Sequence, residues 1–184
     1  MNISAEQKLI LGLQLVFNDF KQVCAISPAI YAGEDNQNAK GFIGAHMRHV
    51  LEFIEIIADQ HSEGVIDYES RKRNKLYEQD PKLALAAFEA ALKNLSTELG
   101  QQGVDRIVEI CEMPAFGMGQ VRVPSSLGRE LLYAIEHSIH HFAIIAMLAA
   151  EYDIHFEEGF GMAPATREHD MKMLYEKSSA QKAA

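Results

Sequence analysis

Cysteine is scarce in this chain of 184 residues, which contains only Cys24 and Cys111. Two cysteines are too few for a disulfide-stabilised scaffold, and their spacing is not that of a zinc knuckle or a redox dithiol. We therefore expect both as buried free thiols. The N-terminus lacks a basic segment followed by an apolar one, so no secretory signal is predicted and a cytoplasmic location is expected.

Basic residues are also in deficit, because 17 Lys and Arg stand against 26 Asp and Glu and give a formal net charge of -9. This balance disfavours binding to nucleic acid through its phosphate backbone. The most apolar stretch, residues 142–150, is too short to cross a bilayer, so no membrane segment is expected. Walker, GxGxxG, GxSxG and HExxH motifs are all absent.

Apolar residues recur at helical spacing in four segments. Four long helices with short or moderate connections predict an all-α protein, a four-helix bundle that forms a single domain over residues 1–184. The predicted helices run from Ser4 to Ser27, from about Phe42 to about Gln60, from Asp80 to Gly100, and from Ser126 to about Asp153.

The segments between and after these helices carry weaker patterns. β-branched residues at Arg106–Glu112 and Gln120–Val123 predict a short β-hairpin before the last bundle helix, packed on the helical body. The link from His61 to Gln79 shows no clean period and is expected as a surface excursion. Residues 159–164 predict an ordered loop, and residues 172–184 a loose C-terminal tail. Gly33–Lys40 predicts a polar loop.

Histidines form two short clusters on predicted core helices. His137 and His141 are four residues apart, so their rings lie one turn apart on one helix face. Apolar residues continue this stripe, which directs both rings into the interior, where unpartnered imidazoles are costly. A divalent metal ion satisfies two such nitrogens at once. The alternative is a pair of core histidines that are hydrogen-bonded to other protein groups.

His46 and His49 form the second cluster, on the second predicted helix, and either could reach the last helix. Three histidines from two helices leave coordination positions open, as in catalytic metal sites. His140 is expected to be exposed or to lie beside the ligands. Glu52, Glu130 and Glu136 are candidates to accept the second ring proton of a ligand.

A combination of short motifs resembles the DinB/YfiT-like superfamily of metal-binding four-helix bundles. The motifs are Gly44–Glu52 (GAHMRHVLE), Ile66-Asp67-Tyr68 followed by Arg71 and Arg73, and His137–His141. The resemblance covers nearly the whole chain and implies His49, His137 and His141 as ligands of a divalent metal ion, Zn2+ or Ni2+. Glu52 stands where the family usually has aspartate.

The resemblance also implies a function, because some relatives are thiol-linked transferases, isomerases or metal-dependent hydrolases. We therefore expect a metal-dependent enzyme that acts on a small molecule, with a low-molecular-weight thiol as a candidate partner, and a homodimer. The alternatives are a non-catalytic metal-binding or interaction module and a purely structural bundle. No catalytic residue is assigned; His46 and His140 are candidates for proton transfer, and Arg48, Arg71 and Arg73 for holding an anionic substrate.

Overall fold

The computed structural model describes residues 3–34 and 42–182. Over these residues the protein is mainly α-helical and has one small three-stranded sheet, so the mainly-α prediction is confirmed. Most of the polar loop predicted at Gly33–Lys40 lies outside the described residues. The described helices are α1 (Ala5–Cys24), α2 (Pro28–Ala32), α3 (Ile43–Gln60), α4 (Pro81–Gln102), α5 (Leu127–Ala150) and α6 (Pro164–Lys182).

Three of the long helices begin where their capping residues predict. The Ser4 hydroxyl accepts from the Gln7 amide at 3.2 Å, and the Gln7 side chain accepts from the Ser4 amide at 2.8 Å, which completes a capping box for α1. Asp80 accepts from two amides in the first turn of α4, with Pro81 at the first helical position. Ser126 accepts from an amide in the first turn of α5.

Four long helices share one core. α1 and α3 each pack against both α4 and α5, so every one of the four buries its apolar stripe on two neighbours. Aromatic rings fill the contact between α1 and α4, where the centroids of Phe20 and Phe88 are 4.8 Å apart. The fully buried core includes Leu13, Phe20, Met47, Leu51, Ile54, Phe88, Leu131 and Phe142.

The sheet contains β1 (Val65–Asp67), β2 (Ile107–Glu112) and β3 (Val121–Ser126), in the order β1-β2-β3. β2 and β3 form the predicted hairpin, paired antiparallel with Ile110 opposite Val123. β1 pairs parallel to β2 and was not predicted. Its three residues are too few to show the alternation by which a strand is recognised in a sequence.

The link at His61–Gln79 is not the surface excursion that the sequence predicts. Besides β1, it contributes Tyr68, which is 1% exposed, and the buried Glu78. Glu78 and Glu52 both accept from the guanidinium of Arg48, at 2.6 and 2.8 Å, so the link is fixed to α3 by half-buried ion pairs. A sequence without periodicity does not reveal ion pairs between residues so far apart in the chain.

The chain after α5 is ordered in part as predicted. Phe160 packs its ring on Phe142 and Phe156, with centroids 5.3 and 4.0 Å apart, which confirms the ordered loop. Where a loose tail is predicted from residue 172, the backbone is instead helical to Lys182 as part of α6. Good helix formers such as Met, Leu, Glu and Lys dominate this segment and account for the difference.

α5 contains the most apolar stretch of the sequence and is 24 residues long. By length and composition it could cross a membrane, a test that the core helix of a soluble protein also passes. α5 packs against α1 and α3 and buries Leu131, Ile135, Phe142 and Ile145. These contacts are those of a core helix.

Candidate metal centre

The packing of α3 against α5 brings four histidines together. His137 and His141 lie one turn apart on α5, with ring centroids at 4.6 Å. The ring of His49 on α3 lies against both, at 4.9 and 4.7 Å between centroids. The three residues implied as ligands by the resemblance therefore converge at one place between two helices.

The nitrogens of these rings are close enough to surround one ion. Nε2 of His49 lies 2.9 Å from Nε2 of His137. One nitrogen from each of His49, His137 and His141 can be chosen so that all three lie within 4.8 Å of one another. Two nitrogens bound to a tetrahedral zinc at 2.0–2.1 Å are about 3.4 Å apart, which falls inside this range. The spacing of the three half-buried rings is therefore compatible with one shared ion.

His46 does not belong to this group of three but contacts it from one side. Its Nδ1 lies 2.8 Å from Nδ1 of His141. Two imidazole nitrogens at that distance share one proton, so one of them donates and the other accepts. Of the two histidines on α3 between which the sequence leaves the choice open, His49 lies in the group of three, and His46 contacts His141. His140 is exposed, as expected.

Two aromatic rings line the histidine group, although neither was assigned to the site from the sequence. Phe53 lies 4.9 Å from His49 and 4.5 Å from His137 between ring centroids. Tyr133 stacks on His137 at 5.6 Å with an interplanar angle of 21°. Phe53 follows His49 by four residues and Tyr133 precedes His137 by four, so helical spacing alone would have found both. These contacts restrict the orientation of the imidazoles.

Burial keeps the four imidazoles neutral at ordinary pH. It lowers the pKa of His49 to about 4 and that of His141 to about 3, and neighbouring histidines add to both shifts. Burial likewise lowers the pKa of His46 and of His137. Neutral imidazole is the form that binds metal ions, so burial favours the ligating state of all four rings.

The three arginines considered as anion-binding residues have different environments. Arg48 is bound by Glu52 and Glu78. Arg73 is largely exposed and pairs with Glu69 at 3.6 Å. Arg71 approaches the centre, because its guanidinium lies 4.3 Å from the ring centroid of Phe53.

The three glutamates proposed to orient a ligand do not do so among the described residues. Glu52 accepts from Arg48 and from the amide of Asn74, and Glu130 accepts from Tyr68, Ser125 and Arg129. Glu136 is exposed. His46 instead occupies the position beside a candidate ligand, at His141.

Comparison with known proteins gives limited information. No family model matches the chain, and no solved structure matches it. Over 111 residues the chain is 34% identical to a protein named FK506-binding protein 5 from Rhizopus delemar. The matched segment is 59% of this chain but only 28% of that protein. The similarity therefore shows no family for this chain.

Proposed function

We propose that this protein is a divalent-metal-dependent enzyme in which His49, His137 and His141 hold Zn2+ or Ni2+. The observation that carries the proposal is the convergence of three neutral, half-buried imidazoles whose nitrogens lie within 4.8 Å of one another. Three protein ligands leave a coordination position for water or substrate, which distinguishes catalytic zinc sites from structural ones. The substrate is a small molecule, with a low-molecular-weight thiol as the candidate partner.

The proposal includes membership of the DinB/YfiT-like superfamily of four-helix bundles. Its support is the mutual packing of α1, α3, α4 and α5, with the β2–β3 hairpin directly before the last of them. The motif residues at 46–49 and 137–141 meet at one site, as the resemblance requires. A cytoplasmic location and a homodimer belong to the same proposal.

The chain's own residues prepare the site for such chemistry. A divalent ion held there would supply a Lewis acid that lowers the pKa of bound water to about 7 or keeps a bound thiol as thiolate. His46 engages Nδ1 of His141 and would help to fix the tautomer of that ring. Phe53 and Tyr133 pack their rings against His137.

A non-catalytic metal-binding module is the second candidate function. The observation that favours it is the engagement of Glu52 and Glu130 in hydrogen bonds away from the histidines. Neither carboxylate is then positioned as a general base at the centre. Storage or sensing of an ion would need no such base.

Metal titration of the purified protein tests the proposal. We expect about one equivalent of Zn2+ or Ni2+ in the wild type, and a loss of affinity of at least about 100-fold in His137→Ala or His141→Ala, since each removes a ligand. His140→Ala is the matched control, because that neighbouring histidine is exposed. Equal binding by all three variants would show that the ligands are assigned wrongly.

Turnover separates the enzyme from the module. The metal-loaded protein is assayed for transfer of an electrophilic group to a small thiol, before and after chelation. Activity that disappears on chelation and returns with the ion supports the enzyme. If the protein binds metal stoichiometrically but turns over none of the small thiols that are assayed, the result supports the non-catalytic metal-binding module.

A further inference from the structure

A cavity of about 350 Å³ lies between the sheet and α5, next to the histidine centre. Tyr133 lines this cavity, and the same ring stacks on His137. The volume is at the lower end of the range for sites that bind small organic molecules. The polar and charged residues of its lining are Tyr68, Glu112, Ser125, Arg129, Glu130 and Tyr133.

One of the two carboxylates in the lining is already compensated. Glu130 is 1% exposed and accepts from the hydroxyls of Tyr68 and Ser125 at 2.7 and 2.6 Å. It also accepts from Nη1 of Arg129 at 3.1 Å. The guanidinium of Arg129 further lies over the ring of Tyr133, 5.0 Å from its centroid. An incoming anion would therefore compete with Glu130 for this cation.

The second carboxylate, that of Glu112, is not compensated. Glu112 is half-buried and lines the cavity, and no hydrogen bond or ion pair joins its carboxylate to any described side chain. Two carboxylates and one guanidinium give the lining a formal charge of -1. This sign agrees with the net charge of -9 of the whole chain.

We infer that this cavity binds a small organic ligand that carries a protonated amine, with the ammonium group paired to Glu112. The remainder of the ligand then lies along Tyr133, toward the histidine centre. A cation gains from the uncompensated carboxylate, whereas an anion faces two carboxylates and a guanidinium that is already bound. That such an amine is a substrate rests on the proposed function. That the cavity binds the amine is independent of the proposed function.

The inference is tested on the full-length protein without metal, by amide NMR titration with propylammonium. Propionate and 1-propanol are probes of similar size with negative and no charge. We expect saturable shifts at residues of the cavity lining with propylammonium and none with the other two. In Glu112→Gln the affinity for propylammonium should fall about fivefold, as for a partly exposed ion pair.

Glu109→Gln is the matched control on the same strand. Glu109 lies on the opposite face of β2 from Glu112 and pairs with Arg122 at 2.8 Å. Its variant should bind propylammonium like the wild type. Equal shifts with propionate or 1-propanol, or unchanged affinity in Glu112→Gln, would overturn the inference. Because no metal is present, these results are independent of the metal titration of the histidine variants.

Discussion

At the scale of single residues, the contact between His46 and His141 separates a ligand from a residue that positions one. The two Nδ1 atoms are 2.8 Å apart, so the tautomer of His141 depends on His46. Neutral imidazole has one nitrogen for a hydrogen bond and one for a metal ion. His46 can therefore matter to metal binding without touching the ion.

We expect His46→Ala to weaken metal binding about 10-fold, within the usual range for a residue that orients a ligand. His49→Ala should abolish tight binding, because it removes a ligand. Competition with a chromophoric chelator measures both affinities. Tight binding that survives in His49→Ala but not in His46→Ala would reverse the two roles.

The histidine pair on α5 could be predicted from the sequence because a spacing of four fixes two rings on one face of a helix. The partner on α3 could not be selected from the residues alone. His46 and His49 are three apart and flank the same buried face, so the angle at which α3 meets α5 decides which one enters the group. The separate environments of Arg48, Arg71 and Arg73 likewise depend on tertiary packing.

At the scale of elements, the anchoring of the His61–Gln79 link to α3 depends on a glycine. A Cβ atom at Gly44 would overlap the carbonyl oxygen of Glu78 and lie 2.8 Å from its carbonyl carbon. Backbone cannot rotate away as a side chain can. The same Glu78 binds Arg48, one turn further along α3, so both contacts need the close approach.

We expect Gly44→Ala to lower the free energy of unfolding by about 1–3 kcal/mol, because the added methyl group overpacks the contact with the link. Urea unfolding followed by circular dichroism measures the change. Gly12→Ala is the matched control: the added Cβ there meets only the far end of Ile135 at 2.9 Å, and this side chain can move. A stability loss in Gly12→Ala as large as that in Gly44→Ala would contradict the argument.

The sequence predicts the helices of this fold better than the link that joins two of them. Helix starts carry local signals, such as the Ser4 capping box and Asp80 before Pro81. The link is stabilised by partners distant in the chain, among them Tyr68 with Glu130, which are 62 residues apart. Contacts between residues so far apart in the sequence produce no local sequence pattern from which they could be predicted.

At the scale of the whole molecule, the buried histidines couple stability to pH. In the unfolded chain each imidazole takes up a proton near pH 6.5, whereas in the folded protein His49 does so near 4 and His141 near 3. Between about pH 6.5 and pH 3 the unfolded state therefore binds more protons than the folded state does. Stability is present above pH 6.5 and is lost as the pH falls through this window.

For the metal-free protein we expect the free energy of unfolding to fall by on the order of 3 kcal/mol between pH 6.5 and 4 because of these two rings, about half the sum of their full shifts, since water screens groups that are only half-buried. Asp19 acts in the opposite direction, since burial raises the pKa of its carboxyl to about 6. The histidine contribution is therefore measured as the difference between wild type and His141→Ala in urea unfolding at each pH. If the difference in unfolding free energy between wild type and His141→Ala stays constant from pH 6.5 to 4, the predicted histidine contribution is contradicted.

An ion shared by His49 and His137 would join parts of the chain that are 88 residues apart. It would act as a removable cross-link between α3 and α5 and close a long loop that contains the link, α4 and the sheet. At a free metal concentration 100 times the dissociation constant, such a cross-link adds about 2.7 kcal/mol to stability. The melting temperature of this protein would then report how much metal its surroundings supply.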